Sequence, residues 1–160
     1  MEIKFTEENL RKLEEIKSHY PTNDAALMPA LWIAQEQFGW ISIDVMKYMG
    51  DLLKIPYEHI YGVLKFYTMY NKSPVGKYHF QVCTNISCML RGSYDILDYL
   101  SKKLNIKTGE TTEDKLFTLS EVECLGSCGT APMMQVNNYY KENLTKELID
   151  KIIADLKNSN

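Results

Sequence analysis

Four residues of this chain stand out as able to do chemistry: Cys83, Cys88, Cys124 and Cys128, its only cysteines. They come as two pairs. The first is a C-x4-C in Val82-Cys83-Thr84-Asn85-Ile86-Ser87-Cys88, and the second a C-x3-C in Glu123-Cys124-Leu125-Gly126-Ser127-Cys128-Gly129. Each pair follows an apolar, strand-like run, so each is expected where a strand ends in a loop. Two such loops at one edge of a sheet would bring four thiolates together.

Three chemistries use four cysteines. Two disulfides are compatible with an even count. The chain, however, opens Met-Glu-Ile-Lys-Phe-Thr-Glu-Glu without an apolar export segment, so a reducing compartment, where disulfides are rare, is expected. A structural zinc site would use four sulfurs on short knuckles, and C-x4-C lies at the edge of that range. A [2Fe–2S] cluster also takes four thiolates, and C-x4-C is the opening pair of plant-type ferredoxins. Small residues around both pairs (Thr84, Ser87, Gly92, Gly126, Ser127, Gly129) would let the backbone approach such a cluster closely. The spacing favours the cluster.

The wording of both loops carries a resemblance. Cys83-Thr84-x-x-x-Cys88-Met89-Leu90-Arg91-Gly92, together with Glu123-Cys124-Leu125-Gly126-Ser127-Cys128-Gly129-Thr130-Ala131-Pro132-Met133-Met134-Gln135-Val136-Asn137, resembles the thioredoxin-like [2Fe–2S] subunit of NADH:quinone oxidoreductase, respiratory complex I. The segments 29–40 (PALWIAQEQFGW) and 63–70 (VLKFYTMY) are similar to it as well. The likeness runs over roughly residues 6 to 157, with no departure at the four cysteines. It implies an α+β chain, with an N-terminal four-helix bundle followed by a thioredoxin-like α/β domain. It also implies one [2Fe–2S] cluster held by Cys83, Cys88, Cys124 and Cys128, exchanging single electrons with a flavin. The flavin and the NADH site would lie on a separate partner subunit, clasped by the helical part, and no catalytic residue is expected on this chain. A cytoplasmic place is implied, peripheral on the inner membrane through other subunits. Two rival readings remain open. One is the equivalent subunit of a soluble NAD-linked hydrogenase or formate dehydrogenase, and the other a zinc-stabilised interaction module with no redox role.

Composition bounds these readings. The chain has 160 residues and is 45% hydrophobic, enough for a packed core. Residues 1–72 hold 8 basic and 10 acidic groups and residues 73–160 hold 10 and 11. Neither half is basic, which argues against a nucleic-acid partner. No apolar run reaches the roughly 18 residues a membrane span needs, so no direct insertion is expected. There is no G-x-G-x-x-G after a strand and no G-x-x-x-x-G-K-[ST], so no nucleotide site is read here.

The elements that must position the cysteines follow from periodicity. A first helix is expected from Thr6 to about Tyr20, with Leu10, Leu13 and Ile16 inward. Pro21-Thr22-Asn23 offers a cap for a second from Asp24 to Phe38, with Leu27, Leu31, Ala34 and Phe38 inward. Pro29 demands a kink or a late start there, and Gly39 is a C-cap. Ser42 caps a third helix to about Lys54, over Val45, Met49 and Leu52. Pro56 suits the first position of a fourth, over Ile60, Val63, Leu64 and Tyr67. Trp32, Trp40, Met46, Met49 and Met69 read as core of this bundle, or in part as a docking face.

The polar turn 71–76 marks a boundary, giving domains 1–72 and 73–160. Beyond it, a strand from Lys77 to Val82 ends at Cys83, and a helix runs from Ser93 to Leu104 with Ile96, Leu97, Leu100 and Leu104 buried. A polar loop leads to a strand from Leu116 to Val122. Met133 to Val136 and Tyr139-Tyr140-Lys141 form a hairpin about Asn137-Asn138. Thr145 caps a last helix to about Lys157, with Leu148, Ile149, Ile152, Ile153 and Leu156 inward. His19 and His59 read as surface or cap residues. His79 lies on the strand face opposite Phe80 and is not needed as a ligand. Arg91 reads as a solvated charge or a docking contact, and Pro132 is a candidate for a cis bond.

Overall fold

The computed structural model describes residues 3–159; Met1, Glu2 and Asn160 lie outside the described residues. It divides into two compact units between Pro74 and Val75. The first holds helices α1 (Glu7–Ser18), α2 (Leu27–Phe38), α3 (Ile43–Leu53) and α4 (Tyr57–Phe66). Several of their boundaries are chemical punctuation. The Thr6 hydroxyl accepts from the Asn9 amide at 3.2 Å, and the Ser42 hydroxyl accepts from the Val45 amide at 3.2 Å. Gly39 ends α2 in the left-handed region at φ 79°.

The second helix starts later than its expected cap at residues 21–23. Asn23 instead donates to the Leu53 carbonyl at 2.7 Å, and α2 begins at Leu27 behind Ala26, with no side-chain cap. Pro29 therefore falls in the first turn, where an amide has no intrahelical acceptor to lose. Pro56 occupies the N-cap, one position before the expected one.

The core of this unit is built from Leu13, Leu27, Leu31, Ala34, Val45, Met46, Met49, Ile60 and Leu64. Ile33 and Leu53 join it, while Phe38, Leu52 and Val63 are only partly buried. Leu10 and Tyr67, both expected inward, are 37% exposed. Leu10 lies outside the stripe that α1 buries, of which only Leu13 is fully covered. Tyr67 lies past the end of α4 in extended backbone, so the helical period no longer applies to it. Trp32 and Met69 pack against the core partly buried. Tyr70 is buried as well, its hydroxyl donating to the Met28 carbonyl at 2.8 Å.

The second unit runs β1 (Tyr78–Cys83), α5 (Ile86–Leu90), α6 (Ser93–Leu104), β2 (Phe117–Val122), β3 (Met134–Val136), β4 (Tyr139–Lys141) and α7 (Lys146–Asn158). The four-stranded sheet has the order β2-β1-β3-β4. β1 and β2 are parallel, as a strand–helix–strand crossover requires, and the β1–β3 and β3–β4 pairs are antiparallel. Asn137 turns the β3–β4 hairpin at φ 52°, and the Thr145 hydroxyl caps α7 by accepting from the Leu148 amide at 3.2 Å.

One continuous core joins Phe80 and Val82 of β1, Phe117 and Leu119 of β2, and Met134 and Val136 of β3 with Ile96, Leu97 and Leu100 of α6 and Ile149, Ile152 and Ile153 of α7. Leu104, Leu148 and Leu156 are partly buried at its margin. The first three strands begin one residue later than periodicity suggests. The five-residue α5 is too short to show a period at all, yet it carries Cys88.

Candidate metal centre

The parallel pairing of β1 with β2 decides where the cysteines go. Register places Cys83 opposite Val122, so both strands run out at the same edge of the sheet. Cys83 is the last residue of β1, and Cys124 lies two residues past the end of β2. Hydrogen bonds then lash the two departing chains together. The Thr84 amide donates to the Val122 carbonyl at 3.1 Å, the Thr84 hydroxyl to Glu121 at 2.7 Å, and the Asn85 side-chain amide to Glu123 at 2.9 Å. Asn85 also accepts from the Ile86 amide at 2.9 Å and so starts α5. Leu125 packs against a small apolar cluster of Cys83, Cys88, Ala131 and Met133, which brings the second loop onto the first pair.

The two pairs sit in different surroundings. All four thiols are free; Cys83 and Cys88 are buried, and Cys124 and Cys128 are exposed. The Cys124 and Cys128 sulfurs are 3.9 Å apart. The Gly126 amide points at the Cys124 sulfur at 3.4 Å, from a residue at φ 82° that glycine adopts without strain. Amide hydrogen bonds to a ligand sulfur are a means by which a protein tunes an iron–sulfur cluster.

The Cys88 thiol is pushed up to about 11, first by burial and then by its hydrogen bond to Cys83. A backbone hydrogen bond to Met133 opposes this, and the charges of Cys83 and Cys128 add to it. Cys83 and, from the other loop, Cys128 thus both act on the Cys88 sulfur. A buried thiol such as Cys88 ionises far more readily against a cation that replaces its proton, which suits a metal-binding role. The cysteines are arranged as two pairs. A two-iron cluster asks for two thiolates per iron, whereas tetrahedral zinc asks for four donors about one point. Two pairs of free thiols supply the donor set that a [2Fe–2S] group takes.

The other residues singled out by sequence lie apart from the sulfurs in role. The His79 ring shares a 2.8 Å hydrogen bond with the Ser120 hydroxyl, and burial holds its pKa down to about 4. His19 caps the C-terminus of α1, and His59 lies 3.7 Å from Asp24. Arg91 is exposed at the end of α5, and the Ala131–Pro132 bond is cis. Sequence reading missed Glu121, Glu123 and Glu142, whose carboxylates accept from residues of the cysteine loops. Asn85 carried a readable signal, being an N-cap residue type directly before the segment that holds Cys88.

Comparison with known proteins places this geometry in context. The family model for the thioredoxin-like [2Fe-2S] ferredoxin matches residues 13–157. An NADH-quinone oxidoreductase subunit of Rickettsia conorii is 48% identical over 96% of this chain and 94% of its own length. The mitochondrial NADH dehydrogenase [ubiquinone] flavoprotein 2 of Dictyostelium discoideum is 44% identical over 97% of this chain and 64% of its own. Among solved structures, an NAD+-reducing [NiFe]-hydrogenase chain superposes with a TM-score of 0.73 over 83% of this chain, at 19% identity. This chain spans 23% of that hydrogenase chain, and the likeness is one of fold.

Proposed function

The chain belongs to the thioredoxin-like [2Fe-2S] ferredoxin family, and on that premise we propose that it is the electron-transfer subunit of an NADH:quinone oxidoreductase. Cys83, Cys88, Cys124 and Cys128 hold its one [2Fe–2S] cluster, and a partner subunit holds the flavin and binds NADH. Such a cluster, when bound, takes up and gives back one electron at a time, at about −400 mV for the plant-type all-cysteine case. A flavin reduced by a two-electron donor can therefore be emptied one electron per step.

The observation that carries this reading is the parallel β1–β2 pairing, which delivers both cysteine loops, with four free thiols, to one sheet edge. The chain's residues do three things there. Burial of Cys83 and Cys88 shields one end of the site from water, and the Gly126 amide donates toward a sulfur whose charge rises on reduction. The exposed Cys124–Cys128 end leaves a short path for electrons to a neighbour. The unit from Val75 onward carries the cluster, and the helical unit up to Pro74 docks the partner. Among the described residues no helix is long and apolar enough to cross a membrane. On this reading other subunits hold the chain at the cytoplasmic face of the inner membrane. Relatives at 44–48% identity support this assembly over a soluble hydrogenase, whose likeness is limited to fold at 19% identity.

The test is a spectrum of the anaerobically purified protein, with iron and sulfide counted. About two of each per chain, with a rhombic EPR signal on reduction, is expected. Cys124→Ser should lose or weaken that signal while leaving the helical domain folded. A colourless protein that takes up no iron on reconstitution would overturn the reading. Copurification with a flavin- and NADH-binding chain tests the partner separately.

A further inference from the structure

The two cysteine pairs are supported by different means. Cys83, at the end of β1, and Cys88, in α5, are buried against Ala131 and Met133. The Cys124–Cys128 loop is exposed and includes no strand or α-helix, only a single turn of 3-10 helix from Cys128 to Thr130. Besides the packing of Leu125, what holds it is the segment around the end of β4. The Tyr140 hydroxyl donates to the Leu125 carbonyl at 2.5 Å, and the Asn143 amide donates to the Thr130 carbonyl at 2.8 Å. Between these two contacts, one oxygen of Glu142 accepts from both the Ser127 hydroxyl and, at 2.6 Å, the Thr130 hydroxyl. These hydroxyls lie 2.7 Å from each other, closing a ring of contacts around the residue before Cys128 and the residue two after it. The two donors hold the Glu142 carboxyl below its ordinary range, with no cation contributing. The carboxylate is committed to the loop.

We propose that Glu142 is a positioning residue for the exposed pair: its carboxylate clasps Ser127 and Thr130 and thereby sets the separation and orientation of the Cys124 and Cys128 sulfurs. The β3–β4 hairpin and its exit thus serve as the clasp of the second loop, doing for it what burial does for the first. The inference deepens the function proposed above and rests on its assignment of the cluster to the four cysteines. A ligand loop held in large part by hydrogen bonds loosens when their acceptor is removed, and partners of this kind change metal retention by about 10–100-fold when lost.

The experiment compares the full-length protein with Glu142→Ala and Glu142→Gln. In the metal-free chains, hydrogen exchange over residues 124–130 is expected to quicken severalfold in Glu142→Ala, with β1 and β2 unchanged. In the reconstituted chains, release of iron to a chelator is expected to be about tenfold faster in Glu142→Ala. Glu142→Gln keeps an accepting oxygen, so it should restore near-native exchange and iron retention. Because it removes a negative charge beside the centre, its midpoint potential should move to a more positive value, a readout that a merely structural role would not move. Native exchange and native iron release in Glu142→Ala would overturn the proposal. If Glu142→Ala does not fold, Thr130→Val, which deletes one donor at constant volume, makes the same comparison. A wild-type chain that takes up no iron would sink the assignment of the centre instead, while exchange in the metal-free chains would still decide whether Glu142 clasps the loop.

Discussion

Replacing Met133 by alanine should weaken the floor beneath the cysteines by an amount the packing allows us to work out. Met133 is fully buried, and with Cys83, Cys88 and Ala131 it makes the small cluster onto which Leu125 folds. Its carbonyl also accepts the Cys83 amide at 3.2 Å, a contact the substitution keeps. A buried methionine cut back to alanine costs about 2–5 kcal/mol, less where neighbours can close the gap. One wall here is a loop and the cluster is small, so the lower part of the range applies, about 2–3 kcal/mol. With a urea dependence of about 1.5 kcal/mol per molar, the unfolding midpoint of the metal-free protein should fall by roughly 1.3–2 M. Met133→Leu, which nearly conserves volume, should lose less than about 1.5 kcal/mol. The assay is urea unfolding followed by far-UV circular dichroism, with hydrogen exchange in β1 and β2 to localise the loss. The metal must be absent, because a bound group would add its own stabilisation. A midpoint for Met133→Ala within about 0.3 M of the native one would refute the claim that this side chain supports the site.

Three further outcomes follow from other contacts. A Cβ on Gly76 would lie 2.9 Å from backbone atoms of Phe117, which cannot yield without disturbing β2. Gly76→Ala should therefore cost more than about 2 kcal/mol and strip exchange protection from β2, as read by denaturation and hydrogen exchange. Ser42→Ala removes the acceptor for the Val45 amide and should cost about 1 kcal/mol, confined to the helical unit and read by its denaturation midpoint. His79 is held neutral by burial, with a pKa near 4 against an ordinary value of 6.5. Its contribution is complete above about pH 6.5 and is lost as pH falls towards 4, up to about 3 kcal/mol in all. His79→Gln should flatten that acid limb of the stability–pH curve, and an unchanged limb would refute the assignment.

How much of this was legible in the chain can be argued residue by residue. Local chemistry was plain where it acts over a few residues. Ser42 and Thr145 are caps, Gly39 and Asn137 adopt the left-handed backbone, and Ser93–Leu104 is a helix, because each depends on neighbours within one turn. The four cysteines and their spacing were equally plain; the spacing favoured a cluster and left zinc open, and the resemblance pointed to [2Fe–2S]. What the chain could not disclose by itself were contacts between distant residues.

The parallel register of Cys83 with Val122, the burial of one pair and exposure of the other, and the close approach of Gly76 to Phe117 all depend on residues far apart along the chain. The same is true of His79 on Ser120 and, over a shorter span, of Glu142 on Ser127. No periodicity records such pairs, since each partner fits its own element equally well without the other. Even the misplaced residues, Leu10 and Tyr67, have apolar side chains at helical spacing. Sequence determined which residues were available for burial and which, by type and spacing, could hold a metal. Tertiary packing decided which faces were covered, and it alone brought the two cysteine loops to the same edge of the sheet.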